Sequence, residues 1–489
     1  MYATSFLLSH YGDRVTVDVV ERDATPFGLV RSGVAPDHAS TKSVTNRFDG
    51  ILADARVAFH GNVALGSDVA LRDLRARYHA IILAHGADGD KRLGVPGEET
   101  MPGVYGAREF VGWYNGDARC AATLGATGRD PVGARIVLGH TACVFGLGNV
   151  ALDCARMLLR DADDLASTDV AGEALGAGSG VERVVMIGRR GVAQAAFSPK
   201  ELRELLSLPN VRVRVEPPGH VEGLDEEDAK DLDASRPRRR AREAVAKAAA
   251  NTAAADATSD RPTKELVIKF LRSPTRFESE TGDPDGTPPM SPSTPSVRVT
   301  LRANALEGAS GSRRAVPDAS VAEPEVLRDV SLVLRSVGYK GIRVDEDVPF
   351  DDENGVVPNA HGRVLTERGG EIVRGLYAAG WIKRGPTGII GTNLRCAEET
   401  VGALIHDDER GRLREVCEVC EEEEDDDVAL SLSEVLRRRG VKVVSKEGWA
   451  RIDAAEREIG RMAGKPREKF VDLDEMLRVA EGADARAVD

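Results

Sequence analysis

ACVFGLGNVALDCAR, residues Ala142 to Arg156, is the stretch that decides the fold of this chain. A short apolar run enters a turn built on Gly146 and Gly148, and a helix-forming segment with the small Ala151 follows. Strand, glycine turn and helix in this order predict a dinucleotide-binding fold. The first glycine permits the tight turn, the second lets backbone approach a pyrophosphate, and the small third residue lets helix and strand pack closely. The pyrophosphate would lie at the helix N-terminus, where free N–H groups favour negative charge.

The next predicted strand, Val184 to Ile187, ends in the sequence Gly188-Arg189-Arg190-Gly191. In a dinucleotide fold the tip of this strand faces the adenosine ribose, where an acid suits NAD and arginine suits the 2'-phosphate of NADP. The two arginines therefore predict NADP. The spacing from the glycine turn is long, and residues Asp161 to Gly180 are interpreted as an inserted helical excursion. A glycine turn without a ligand, followed by a solvated basic turn, is the alternative interpretation.

Composition sets the outer limits of the prediction. With 489 residues, of which 42% are hydrophobic, the chain is long enough to bury large cores and should form two or three domains. No apolar run approaches the length of a membrane span, and the six cysteines are too sparse for a disulfide framework, which indicates a reducing compartment. The net charge of -14 argues against nucleic-acid binding.

The first residues read as a helix already under way, and Val15 to Val20 follow as a strand that ends at Glu21. A strand tipped by a carboxylate is typical of the ribose-binding position in a first dinucleotide site. The glycine fingerprint of such a site precedes the acid by about twenty residues, so we expect its strand and loop to lie upstream of Met1. A solvent-facing acid at a strand end is the alternative.

Seven segments together resemble the adrenodoxin reductase family, the NADPH-dependent ferredoxin reductases of mitochondria and some bacteria. They are PFGLVRSGVAPDH, GNVALD, GRRG, KELREL, PRRR, GWIKRGPTGII and GKPREK, and they run nearly end to end in order and spacing. The resemblance implies an α/β fold of glutathione-reductase-like architecture with two Rossmann-like domains, the NADP domain being inserted in the FAD domain. The implied division is 1–106 and 329–489 for the FAD domain and 107–328 for the NADP domain.

The resemblance also assigns site residues. It implies FAD contacts at Glu21, Leu29, Leu65, Trp381, Gly388, Ile389 and Ile390. It implies NADP contacts at Gly146, Leu147, Gly148, Asn149, Val150, Arg189, Arg190, Glu201 and Gly388. His38 and Glu201 are the implied catalytic residues. Leu147 stands where the family usually has glutamine, which removes a polar side chain but keeps the backbone cradle. From the residues alone, a tryptophan after a strand, such as Trp381, is more often a core residue, and a lone histidine, such as His38, is more often a structural one.

Five arginines within Arg236 to Arg242 form a local positive patch on an acidic chain, suited to steering an acidic protein onto the surface. By resemblance the partner is a [2Fe-2S] ferredoxin, and the chain a monomer of the mitochondrial matrix that could associate peripherally with a membrane. The residues predicted to bind the partner are Arg203, Arg236, Arg238, Arg239 and Arg240. A solvated charge run at a helix start is the alternative.

Cys417 and Cys420 form a CxxC followed by seven acidic residues, but neither a second pair nor nearby histidines complete a zinc site. We interpret residues 417–427 as an exposed acidic insertion and predict no metal site. Ser273 to Pro295 and Glu307 to Glu325 read as surface loops. The predicted activity is electron transfer from NADPH through FAD to the ferredoxin. A flavin-dependent disulfide reductase or monooxygenase, and a non-catalytic NADP-binding protein, remain as alternatives that bound flavin and acceptor assays would separate.

Overall fold

The structure is a computed structural model, and it describes residues 1–125, 138–175, 180–217, 219–255, 264–280, 296–388, 390–415 and 430–482. Cys417, Cys420 and the acidic run after them lie outside the described residues, as does Ile389. In the described part of the chain, no helix combines the length and the apolar character that a bilayer crossing requires.

Helices and strands alternate over most of the described chain, as expected for an α/β protein. The helices are α1 (Tyr2–Tyr11), α2 (Leu29–Ser32), α3 (Ala39–Lys42), α4 (Thr45–Leu52), α5 (Leu71–Arg77), α6 (Ala107–Tyr114), α7 (Ala118–Gly125), α8 (Asn149–Leu159), α9 (Ala162–Ala166), α10 (Gly172–Leu175), α11 (Pro199–Leu206), α12 (Gly219–Glu222), α13 (Glu226–Asp233), α14 (Arg236–Ala255), α15 (Trp381–Arg384), α16 (Ile390–Asp408), α17 (Leu432–Arg438), α18 (Lys446–Met462) and α19 (Leu473–Ala480). The strands are β1 (Val17–Glu21), β2 (Val57–Gly61), β3 (Ile81–Leu83), β4 (Gly89–Asp90), β5 (Val104–Gly106), β6 (Thr141–Phe145), β7 (Arg183–Ile187), β8 (Val211–Glu216), β9 (Lys264–Lys269), β10 (Arg272–Ser279), β11 (Val297–Glu307), β12 (Arg314–Pro317), β13 (Glu325–Arg335), β14 (Tyr339–Lys340), β15 (Asn359–Ala360), β16 (Arg363–Leu365) and β17 (Ile372–Ala378).

The largest sheet has nine strands in the order β10-β11-β13-β6-β7-β9-β8, with β12 paired to β11 and β5 paired to β13. The strands from β13 through β6, β7 and β9 to β8 are parallel. Alternate residues of β6 enter two separate cores, Ala142 and Val144 on one face and Cys143 and Phe145 on the other. Burial of both faces is what a parallel sheet requires, and it explains why the predicted strand is apolar without a break.

Part of the predicted loop structure is wrong. Ser273 to Pro295 and Glu307 to Glu325 contain most of β10 and all of β12, which extend the sheet in the antiparallel direction. Strand β10 lies at the edge of the sheet, and its ladder shifts register between Pro274 and Arg276. Proline is tolerated at an edge or a bulge because its missing N–H removes no necessary ladder bond there. Pro274 is therefore compatible with an edge strand, and residues 281–295, with the other prolines and the glycines of the first segment, lie outside the described residues.

The remaining strands belong to the first and last segments of the chain. Strand β1 pairs in parallel with β2, and β3 pairs in parallel with β17 at the end of a separate sheet ordered β15-β16-β17-β3. The short antiparallel pair β4 and β14 joins the two segments where the chain passes to and from the nine-stranded sheet. Strands β5 and β13 of the nine-stranded sheet also pair with each other in this region. The domain limits at residues 106 and 328 stay a proposal.

The end of the chain packs back onto its beginning and onto the nine-stranded part. Helices α18 and α19 share a core with β2. Glu456 of α18 binds Arg31 through two hydrogen bonds of 2.9 and 2.5 Å. Lys469 lies 2.9 Å from Asp169, and Lys42 lies 2.8 Å from the same carboxylate. Within the GKPREK segment, Arg467 pairs with Glu456 at 2.9 Å and Lys469 pairs with Asp169, so the segment connects α18 to the region of Asp169.

Candidate functional site

The predicted pyrophosphate cradle lies at the carboxyl end of β6. Gly146 has a φ of 130°, and a Cβ atom there would stand 2.1 Å from the carbonyl oxygen of Ser336, so only glycine fits. At Gly148 an added Cβ would meet no atom within 4 Å, which leaves open space beside the backbone. No side chain caps the start of α8, so its first N–H groups remain available. This combination fits a pyrophosphate.

The other predicted cradle residues have distinct surroundings. The Asn149 side chain accepts a 2.7 Å hydrogen bond from the backbone N–H of Ser198, which ties the cradle to the start of α11. Leu147 packs against Gly188, and its carbonyl oxygen accepts from the backbone N–H of Ala196 at 3.0 Å. The leucine therefore has a packing role, and any contact it makes with nucleotide would be through backbone.

The Arg189-Arg190 turn follows β7, which is the parallel neighbour of β6. Its backbone is held from three sides: Gly188 N–H donates to Lys269, Leu271 N–H donates to the Arg190 carbonyl, and the Asn304 amide donates to the Arg189 carbonyl. Arg189 is exposed and Arg190 half-buried. Burial, followed by the positive charge of Arg189, lowers the pKa of Arg190 below its ordinary value. Two guanidiniums on a fixed backbone, neither with a hydrogen bond or ion pair to a described residue, fit a phosphate dianion beside the cradle.

His38 precedes α3 and lies in a cluster of charged groups. Its Nε2 atom is 2.7 Å from Glu204, 3.5 Å from Glu201 and 3.2 Å from the guanidinium of Arg156. Both glutamates lie on α11, where the i,i+3 spacing places them on the same side of the helix. The structure therefore brings together His38 and Glu201, the two residues predicted to be catalytic, and adds Glu204.

Arg156 organises this cluster from the buried side, with only 1% of its side chain exposed. It donates two hydrogen bonds to Asp37, of 2.7 and 3.0 Å, and lies 2.8 Å from Asp153. Burial raises the pKa of Asp37, but the hydrogen bond and charge of Arg156 outweigh it, so that this pKa is below its ordinary value. Burial raises the pKa of Asp153 to about 6 in spite of the same guanidinium.

Sequence reasoning missed Arg156, Asp37, Asp153 and Glu204. Two signals were available: the i,i+3 pair Asp153 and Arg156 on α8, and the two glutamates of KELREL on α11. Neither signal says which loop lies opposite, and only the folded chain brings His38 to both helices.

The His38, Glu201 and Glu204 side chains offer ligand atoms within 4.8 Å of one another, a spacing that a metal ion could bridge. Arg156, however, lies 3.2 Å from the same His38 nitrogen and 4.0 Å from Glu201. A fixed positive charge at that position repels a cation, and we assign no metal to this cluster. The Glu201 oxygen that faces His38 and Arg156, Oε2, is buried and accepts no hydrogen bond from a described residue. An orphaned acceptor beside the cradle fits a ligand N–H, such as a nicotinamide carboxamide.

The predicted flavin contacts of the last segment lie around α15. Trp381 begins this helix, stacks on Tyr339 with ring centroids 5.7 Å apart, and has a buried indole N–H without an acceptor among the described residues. A core tryptophan normally satisfies this donor, so the orphaned N–H fits a ligand acceptor better than a purely structural role. Gly388 has a φ of 80° and is exposed, and Ile390 is the first residue of α16.

The predicted flavin contacts of the first segment lie along β1 and the loops after it. Glu21 ends β1, and burial, followed by the charge of Asp23, raises its pKa to about 7. Leu29 begins α2, and Leu65 packs between two hydrophobic cores after β2. A carboxyl acceptor at the strand tip fits a ribose hydroxyl.

The arginines predicted to bind a partner do not all face solvent. Arg203 on α11 and Arg236, Arg239 and Arg240 on α14 are exposed, whereas Arg238 is half-buried. The four cysteines that the structure describes, Cys120, Cys143, Cys154 and Cys396, are buried and unpaired, so the described residues contain no redox disulfide.

Comparison with known proteins gives a consistent result, although no protein-family model matches the chain. The NADPH:adrenodoxin oxidoreductase of Arabidopsis thaliana mitochondria is 41% identical over 488 residues, covering 98% of this chain and 92% of the relative. The human mitochondrial protein of the same name is 39% identical over 485 residues, covering 98% and 89%. Bacterial relatives exist as well, including the NADPH-ferredoxin reductase FprA of Mycobacterium tuberculosis, at 38% identity over 475 residues.

The solved structure of M. tuberculosis FprA in complex with NADPH superposes with a TM-score of 0.81 at 36% identity, covering 98% of this chain and 97% of that one. The predicted fold class is thereby confirmed, together with the predicted family. With identity far above 30% across nearly the whole chain, an intact glycine cradle and a twin-arginine turn, this chain belongs to the adrenodoxin reductase family of NADPH-dependent ferredoxin oxidoreductases.

Proposed function

We propose that this protein is a flavoenzyme that passes electrons from NADPH through FAD to a [2Fe-2S] ferredoxin. The observation that carries the proposal is the adjacency of the open cradle at Gly148 and the two arginines, 189 and 190, at the ends of two parallel strands. The names of the relatives, which are NADPH:adrenodoxin and NADPH-ferredoxin reductases, support it. FAD, when bound, supplies the conversion of a two-electron donor into single-electron deliveries.

Each side of the site has residues for its cofactor. On the NADP side, backbone N–H groups at 146–150 would hold the pyrophosphate, Arg189 and Arg190 the 2'-phosphate, and Glu201 the carboxamide. On the FAD side, the contacts would come from Glu21 at the ribose, from Trp381 through its indole N–H, and from Leu29, Leu65, Gly388, Ile389 and Ile390. Gly388 would also approach the nicotinamide.

His38 would act between the two cofactors as a group of fixed orientation. The Nε2–H of His38 donates to the Glu204 carboxylate at 2.7 Å, and this hydrogen bond orients the imidazole, with the Arg156 guanidinium 3.2 Å from the same nitrogen. We expect His38→Ala to slow flavin reduction by NADPH and to change the spectrum of the bound flavin. If the variant left both unchanged, His38 would be a structural residue.

The ferredoxin would dock on the exposed arginines of α11 and α14. A positive patch on a chain of net charge -14 attracts an acidic partner to one face and repels it elsewhere. As further parts of the proposal, the protein acts as a monomer in the mitochondrial matrix and could associate peripherally with a membrane. The mitochondrial names of several relatives support the location.

Purified protein would be assayed for bound flavin, for flavin reduction by NADPH in stopped flow, and for ferredoxin-dependent cytochrome reduction. The patch is tested by Arg239→Glu/Arg240→Glu against Arg457→Glu/Arg461→Glu, which changes charge equally on the exposed face of α18. We expect the first variant to raise the KM for ferredoxin roughly tenfold or more without slowing flavin reduction. Equal effects of both variants would refute the patch. If the purified protein bound neither FAD nor NADPH after reconstitution with flavin, the proposal that it is a flavoenzyme would be refuted.

A further inference from the structure

The basic stretch at the start of α14 faces in two directions. Ala241 and Val245 are buried, at 2% and 0% exposure, and they define the inner side of this helix. Arg238 lies three residues before Ala241 and seven before Val245, so the helical period places it on that side. It is half-buried, whereas Arg236, Arg239 and Arg240 are exposed. Arg238 is therefore separated from the surface that a docking protein would meet.

The inner side of α14 packs on the turn that follows Arg190. Residues Val192–Gln194 form a 3-10 turn there, which contacts both α13 and α14. The Gln194 amide donates hydrogen bonds of 2.8 Å to Asp228 and 2.9 Å to Asp231 on α13. Near the start of α14, Arg242 donates a 3.0 Å hydrogen bond to the backbone carbonyl of Val221 on α12. These contacts fix the first turn of α14 next to the twin-arginine turn.

The charges in this region are not balanced by the protein. Besides burial and Arg189, the charge of Arg238 lowers the pKa of Arg190, so the three guanidiniums act on one region. The opposing charge that acts on both Arg190 and Arg238 is Asp231, but its carboxylate already accepts from Gln194, from the Ser310 hydroxyl at 2.6 Å and from the Gly311 N–H at 2.6 Å. Arg238 has no hydrogen bond or ion pair to any residue in the described ranges. Like charges that share one carboxylate, itself occupied by other donors, are suited to an anion from outside.

We propose that Arg238 is a third cation of the 2'-phosphate site, and that it favours NADPH over NADH instead of binding the partner protein. This inference rests on the proposed NADP site at Arg189 and Arg190. A phosphate monoester carries nearly two negative charges and three acceptor oxygens, enough to engage more than two guanidiniums. The first turn of α14 thereby becomes part of the nucleotide site.

The test compares Arg238→Gln with Lys247→Gln, which removes one positive charge from an exposed position of the same helix. Binding of 2',5'-ADP and of 5'-AMP to the full-length holoenzyme is measured by calorimetry, and KM is measured for NADPH and NADH. We expect Arg238→Gln to weaken 2',5'-ADP binding and raise the KM for NADPH roughly tenfold, with 5'-AMP, NADH and kcat unchanged. Arg238→Lys should recover part of the loss, and Lys247→Gln should match the parent protein.

Equal binding of 2',5'-ADP by Arg238→Gln and the parent would overturn the inference, and so would an equal loss for 5'-AMP, which lacks the 2'-phosphate. Arg189→Ala/Arg190→Ala separates the inference from the proposed function. If this double variant loses 2',5'-ADP while Arg238→Gln does not, only the role of Arg238 fails. If the double variant also retains 2',5'-ADP, the proposed NADP site itself fails. Equal melting temperatures of the Arg238 variants and the parent establish that the fold is intact.

Discussion

The two cradle glycines should fail in different ways when each is replaced by alanine. Gly146 approaches the backbone of the neighbouring strand: a Cβ there would lie 2.1 Å from the Ser336 carbonyl oxygen and 2.8 Å from its carbon. The strand cannot yield easily, because the Ser336 N–H donates a 2.7 Å hydrogen bond to Phe145. Gly148 has an ordinary φ of -110° and open space around its Cβ position. The first substitution should therefore damage the fold, and the second only the ligand site.

The expected size of the first effect has two sources. A non-glycine residue at a positive φ costs about 1–3 kcal/mol, and forcing an extra carbon into a packed contact costs about 1–3 kcal/mol more. Gly146→Ala should thus lower the free energy of unfolding by about 2–6 kcal/mol. At about 2–4 °C per kcal/mol for a domain of this size, the melting temperature should fall by about 4–24 °C. Gly148→Ala should cost at most about 1 kcal/mol, the difference between glycine and alanine before a helix.

Scanning calorimetry measures the first effect, and titration with 2',5'-ADP and NADP measures the second. NADP carries the pyrophosphate and should bind at least roughly tenfold more weakly to Gly148→Ala, because the new methyl group fills the space of the phosphate and the N–H donors lose their ligand. An unchanged melting temperature for Gly146→Ala would contradict the close approach to Ser336. Normal NADP binding by Gly148→Ala would contradict the position of the pyrophosphate.

Three further predictions concern stability. Burial and a neighbouring carboxylate raise the pKa of Asp90 to about 6. Since an aspartate in the unfolded chain has a pKa of about 4, this group makes the protein less stable as the pH rises from about 4 to 6. Asp90→Asn should therefore raise the free energy of unfolding by up to about 3 kcal/mol at pH 8 and leave it unchanged at pH 4. Gly460→Ala should lower the free energy of unfolding by about 1–3 kcal/mol, because the new Cβ would lie 2.4 Å from the Arg467 Cα. Gly402→Ala, which has open space around its Cβ position, should be at least as stable as the parent protein. Equal urea midpoints for the two variants would contradict this prediction. Arg156→Leu leaves the buried carboxylates of Asp37 and Asp153 without their cation and should lower the urea midpoint by the equivalent of about 3–5 kcal/mol. A loss below about 1 kcal/mol would show that the cluster tolerates the missing charge.

Much of the nucleotide side was predictable from local sequence. The order of β6, glycine turn and α8 depends on neighbours within a few residues, and so does the position of the two arginines at the end of β7. Local rules describe these features because the parallel strands are buried on both faces and therefore apolar throughout. The family resemblance added the FAD contacts, which the residues alone left open and which stay predictions; at Trp381 the structure shows a buried indole N–H without an acceptor among the described residues.

The sequence could not predict contacts between distant residues. His38 meets Glu204 across 166 positions, and Arg31 meets Glu456 across 425, and no periodicity reports such pairs. Edge strand β10 was predicted as a loop because proline and glycine mark turns, whereas its place at the sheet edge is a tertiary property.

The two arginine motifs show the same division. Charge and spacing in the sequence establish that residues 236–242 are basic, and that Arg189 and Arg190 end a strand. The side of α14 that packs on the turn after Arg190 decides which arginines of residues 236–242 face solvent. That side is set by the burial of Ala241 and Val245 in a core built from several segments. The type and spacing of the charged residues are properties of the sequence. The direction in which each side chain points, and the residues that it contacts, are decided only when distant segments bury their apolar side chains together.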